Sequence, residues 1–230
     1  MSSEKPITEK ESLELITSMI RKAKGSYYDT GIGSILWGSV IGFNSFFTYL
    51  EIRYQFSIGF DIWILGLIAI IPQIIISVRE KRSGVVKKYE DDALNAVWLV
   101  FGVSIFGMMA YRIIAPQATT ELLAAEGWQL VKHYTTPGKS DEVIQPFVPS
   151  FYSIYILLYA FPTLVTGFVK KFKPMLYGAI ISYGLFIISC YTSTQYDMLL
   201  GSITAIICWL IPGIILRRKY LAQKKMKENV

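Results

Sequence analysis

Charge is missing from most of this chain. No Asp, Glu, Lys or Arg occurs in 93–111, 143–169, 174–196 or 198–216. An ionised side chain in hydrocarbon costs about 2.5–3.5 kcal/mol even on the most lenient scale. A chain that spans a bilayer therefore concentrates its charges outside such stretches, and this one does so at its termini and in short linkers. Charged residues make up 17% of the 230, hydrophobic residues 53%, and the mean hydropathy is +0.41. A soluble domain carries roughly 25% charged residues.

The predicted fold is all-α: a polytopic membrane bundle of six transmembrane helices. The expected spans lie near 31–52, 59–78, 93–115, 148–169, 175–192 and 198–216. Each is close to the roughly 20 residues that cross about 30 Å of hydrocarbon. Residues 1–28 precede them as an amphipathic cytoplasmic helix, with Thr8 and Glu11 as a capping box. Leu13, Ile16, Met19 and Ile20 form its apolar stripe, suited to the membrane surface, the end of the bundle or a partner. The first thirty residues hold no early apolar core, so the first span is expected to act as an uncleaved signal anchor. Residues 29–216 form the transmembrane domain and 217–230 a basic cytoplasmic tail.

Orientation follows from the basic residues. Nineteen fall on the side of the termini, among them Lys22, Arg79, Lys88, Lys170, Lys173, Arg217 and Lys224, against Arg53, Arg112, Lys132 and Lys139 opposite. Both termini are expected to be cytoplasmic. The net charge of +6 belongs to these flanks and their anionic lipid, not to nucleic acid. Tyr49, Tyr54, Tyr111, Tyr134, Tyr152, Tyr155, Tyr191 and Tyr196 collect near the outer boundary, as an interfacial belt does. The external loop 116–147 predicts an amphipathic helix over 119–134, then a turn at Pro137-Gly138.

Helices one, three and five each hold an aromatic-Gly pair: Trp37-Gly38, Phe101-Gly102 and Tyr177-Gly178. Helices two, four and six each hold a proline, Pro72, Pro162 and Pro212, which removes a helix hydrogen bond and kinks the helix before a basic exit. The pattern suits three duplicated helical hairpins, although aromatic-Gly pairs and prolines are also common in membrane helices without a repeat. Small residues such as Gly38 and Gly42 let helices approach closely.

Chemistry is sparse. No catalytic motif, cofactor signature or metal-ligand set is present, and His133 is the lone histidine. Cys190 and Cys208 read as small buried hydrophobes without a disulfide. Asn44, Gln73 and Asn95 are candidates for a polar path through the bundle. Glu51, Asp61 and Arg112 are candidates for an outer-rim cluster, with Arg112 pairing one of the acids. Inter-helix hydrogen bonding explains buried polar residues equally well.

The amphipathic helix running into Gly-Ser-Ile-Leu-Trp-Gly, from Ser12 to Gly42, resembles bacterial six-helix integral membrane proteins with no assigned function. The resemblance implies a bacterial inner-membrane protein and carries over no activity and no site residue. The expected function is non-enzymatic: an accessory or regulatory protein that binds a partner through its N-terminal helix or tail. A small transporter or channel, assembled as a homo-oligomer, is the alternative.

Overall fold

The computed structural model describes residues 30–82 and 89–228, with Thr8, Ser12, Leu13 and Thr17 ahead of them. Ser12, Leu13 and Thr17 are helical; the rest of the helix expected over 1–28 lies outside the described residues, as do Lys87 and Lys88. Among the described residues the fold is all-α apart from one small hairpin. Its helices are α1 (Ile32–Tyr54), α2 (Ile64–Ile68), α3 (Ile70–Arg82), α4 (Tyr89–Ala125), α5 (Ser153–Val169) and α6 (Lys173–Ser189). The last helix comprises α7 (Thr194–Ala205), a π-turn (Ile206–Leu210) and α8 (Ile211–Glu228). Strands β1 (Val131–Lys132) and β2 (Glu142–Val143) pair antiparallel, Val131 opposite Val143.

Two helices, Glu90–Ala125 and Thr194–Met226, are long and apolar enough to cross a bilayer by length and composition. The sequence predicts six spans. The apolar helices α5 and α6 have 17 residues each, about 25 Å of helix. The second expected span, 59–78, is broken at Ala69 into α2 and α3. Pro72 accounts for the break, since its ring excludes the carbonyl of Ile68 and it has no N–H to donate there.

Pro116 does not end the third expected span. It lies inside α4, which runs on for 37 residues, roughly 55 Å. Good helix formers follow it, and the Thr119 and Thr120 hydroxyls donate back to the carbonyls of Ala115 and Pro116. The stop comes at Gly127, whose φ of 83° only glycine adopts readily. Gly127 N–H donates to the Ala124 carbonyl (3.0 Å) and Trp128 N–H to that of Leu123 (3.1 Å). The amphipathic helix expected over 119–134 is thus the end of α4, followed by the β-hairpin. The expected basic tail is likewise helical, as α8 continues through Glu228.

The last helix is central. Pro212 again lacks a donor, and the π-turn before it absorbs the mismatch. Its backbone meets glycines of two other helices. A methyl at Gly38 would run into the backbone of Leu210, and one at Gly178 would sit 2.5 Å from the Ile207 carbonyl. Gly31 holds φ at 71° beside the Gly213 carbonyl. Helix α1 packs most extensively on α7, and α5 on α6, whereas α1 meets α2 and α3 only lightly. Gly102 meets nothing within 4 Å. The three aromatic-Gly pairs therefore do different work: two of the glycines press on the last helix and the third faces outward.

The core is aromatic. Trp209 packs on Tyr159 (4.9 Å between ring centres), Phe101 (5.9 Å) and Trp98 (6.1 Å). Pairs of this kind add about 0.5–1.5 kcal/mol each beyond their buried area. Both indole N–H groups are satisfied, Trp209 by Thr163 Oγ1 (2.9 Å) and Trp98 by Thr166 Oγ1 (3.1 Å).

The glycine contacts are directly testable. Gly38→Ala should lower the unfolding free energy in mixed micelles by roughly 1–3 kcal/mol, the cost of overpacking. Gly102→Ala should change it by no more than about 0.5–1 kcal/mol, and in the stabilising direction. Equal behaviour of the two variants would contradict the packing described.

Candidate functional site

A site in such a bundle needs a polar group and room beside it. The middle of α1 supplies both. Asn44 lies in the middle of α1 and is fully buried, and neither Oδ1 nor Nδ2 has a hydrogen-bond partner. Leaving both groups unmade costs about 1–3 kcal/mol each. Asn44 lines a groove of about 360 Å³ with Ser39, Val40, Phe43 and Leu65. The α2 backbone passes over the amide at Gly66, where a methyl would lie 3.9 Å from Nδ2. Thr48 Oγ1, one turn further along α1, is also buried without a partner.

The other two residues of the expected polar path are elsewhere. Gln73 Oε1 accepts from Trp37 Nε1 (3.1 Å), and its Nε2 donates to Ser77 Oγ (3.2 Å), which ties α3 to the start of α1. Asn95 is exposed near the start of α4. Asn44, Gln73 and Asn95 do not line one channel, because the first is sealed, the second is engaged and the third faces outward.

The outer-rim cluster is also distributed. Arg112 bonds Tyr152, its guanidinium 5.2 Å from that ring's centre, and does not pair with Glu51 or Asp61. Asp61 Oδ1 accepts from the Trp63 N–H (2.9 Å) and caps the turn that leads into α2. Pro72 sits at the α2–α3 break, Pro162 inside α5 beside Thr163 and Thr166, and Pro212 after the π-turn. Cys208 is buried as expected, but Cys190 is exposed.

Sequence reasoning undervalued Asp197. By sequence it lies at the outer end of the last expected span, and it was not among the candidate site residues; in the structure it is 1% exposed. Ser189 and Thr192 hydroxyls donate to its Oδ1 (2.7 and 3.0 Å), so the carboxylate fastens the turn between α6 and α7. The run of hydroxyl residues from Ser189 to Thr194 was the available signal. Sequence reasoning also left out Thr163, the acceptor for the central indole. Among the described residues no group of three or more His, Cys, Asp or Glu side chains could hold a metal ion.

In detergent, Asn44→Leu should raise the melting temperature, because it removes two unmade hydrogen bonds while keeping the branching of the side chain. A clear fall would mean that the amide has a partner in the folded protein.

The chain matches no protein-family model, no curated protein and no solved structure.

Proposed function

We propose that this protein is a non-catalytic integral membrane protein of the bacterial inner membrane, crossing it six times with both termini cytoplasmic, and that it serves as an accessory or regulatory partner. The observation that carries the functional part is the solid core. Trp98, Phe101, Tyr159 and Trp209 fill the space between α4, α5 and the last helix. A carrier or channel needs a polar route to mid-bilayer, and the polar side chains in the middle of α1, Asn44 and Ser45, are both closed off.

Support for the bilayer comes from α4. The most apolar window of Glu90–Ala125 is 6% buried, against 44% for Thr194–Met226. A core helix of a soluble protein would be covered. Trp98, Phe101 and Ile105 of α4 face the core, but Leu99, Val103, Phe106, Ile113 and Ile114 are exposed, and a bare apolar face of that length needs lipid beside it. Helices α5 and α6, somewhat short for a crossing, fit by local thinning of the bilayer.

The side of the termini offers the surface for a partner. Arg217, Arg218, Lys219, Lys224 and Lys225 lie along α8 beyond its apolar part. Arg217 stacks on Tyr220 (5.4 Å) and Lys219 on Phe172 (5.2 Å), while Arg218 and Lys225 face outward, suited to an acidic protein or to anionic lipid.

Cysteine labelling in a chain carrying Cys190→Ser and Cys208→Ser tests both parts. A membrane-impermeant maleimide should reach Ser140→Cys from outside and Lys224→Cys only from the cytoplasmic side. Asn44→Cys should stay unlabelled from either side. Labelling of Asn44→Cys would favour transport, and reversed labelling at Ser140 and Lys224 would overturn the orientation.

A further inference from the structure

We propose that the groove between α1 and α2 binds an uncharged lipid that carries one free hydroxyl group. The proposal rests on the bilayer placement given above, which the labelling at Ser140→Cys and Lys224→Cys tests separately. The groove is lined by Ser39, Val40, Phe43, Asn44 and Leu65, a set without a charged side chain. Behind its apolar wall the sealed Asn44 carboxamide holds an unused acceptor, Oδ1, and an unused donor, Nδ2.

The chemistry of that pair selects the ligand. A hydroxyl both donates and accepts, so a single group satisfies Oδ1 and one Nδ2 hydrogen. A ketone or ester satisfies the donor alone. A charged headgroup would lose its hydration against a wall that holds no counter-ion. Thr48 Oγ1, on the same face one turn away, extends the polar strip. The volume of about 360 Å³ holds the end of a lipid beside the amide, and its hydroxyl reaches Asn44 once Leu65 moves aside.

Entry is lateral. Phe43 and Leu65 at the rim are 54% and 37% exposed, so the groove opens toward the surrounding lipid, not toward either aqueous side. Helix α2 has five residues and, among the described elements, packs only on α1 and α3. A small displacement of Leu65 uncovers the amide without disturbing the aromatic core. The site is a dead end, in keeping with a protein that senses or holds a lipid and does not pass one across.

The test uses the whole protein in phosphatidylcholine nanodiscs that contain one of three photoactivatable probes: a diacylglycerol with its free hydroxyl, the same molecule with that hydroxyl acetylated, or a phosphatidylcholine. The diacylglycerol should label the peptides carrying Phe43 and Leu65 about fivefold more than the acetylated probe does, the ratio that one net hydrogen bond supplies. Asn44→Leu should abolish the excess. Ser39→Phe, which fills the groove and leaves the amide in place, should abolish it too, with labelling of α4 unchanged in both. Equal labelling by the free and acetylated probes would overturn the proposal, as would an excess that survives Ser39→Phe. Either result would leave the bilayer placement standing if Ser140→Cys and Lys224→Cys label as expected.

Discussion

Gly38 of α1 and Gly178 of α6 both reach the backbone of the π-turn at Ile206–Leu210, and the rest of the bundle is arranged around that contact. Pro212 makes the turn necessary by removing a donor and excluding a carbonyl one turn back. The widened turn then needs neighbours without side chains. Gly31 and Gly213 repeat the contact a few residues further on, and Ser202 Oγ donates to the Gly42 carbonyl (2.7 Å) at the other end of the seam. In lipid, where the proposed function places the bundle, there is little hydrophobic drive to bring helices together, and close backbone packing and hydrogen bonds of this kind would carry the association. Helix α1 and the last helix are locked by it, although they stand at opposite ends of the described bundle.

The structure divides by how firmly its parts are held. Helices α1, α5, α6 and the last helix form a dense unit in which hydroxyls serve the indoles and Asp197 fastens a turn. Helix α4 joins it through Trp98, Phe101, Ile105 and the Asp91–Lys170 ion pair. Helices α2 and α3 are attached by less: the Trp37–Gln73 hydrogen bond, and Thr30 donating to Glu80. The Asn44 groove lies on the boundary between the dense unit and this lightly held pair. A boundary of that kind is where a ligand gains access at least cost to the fold.

The all-α class and the approximate place of most helices were legible in the sequence, because charge-free stretches and the kinking prolines are local signals. Pro72 and Pro116 show where that legibility ends. Both remove the same hydrogen bond, yet Pro72 separates two helices while Pro116 is carried inside one. The residues that follow Pro116 are strong helix formers with threonine hydroxyls to bond back, and this context outweighs the proline. The aromatic-Gly pattern was visible as a repeat, but the partner of each glycine depends on helix arrangement, which no window of sequence encodes. The same holds for the candidate site. Asn44 stood out as a polar residue in mid-helix, whereas the backbone that passes over it at Gly66 belongs to α2, some twenty residues further along the chain.

The most direct measurement is the environment of α4 in a bilayer. Nitroxides placed at Val103, Phe106 and Ile113, all exposed on the protein surface, report collisions with dissolved oxygen and with a water-soluble nickel chelate. Oxygen collisions should exceed those with nickel at all three positions, as expected for a bare apolar helix in hydrocarbon. Dominant nickel collisions would place α4 in water and contradict the membrane-embedded bundle on which the functional proposal depends.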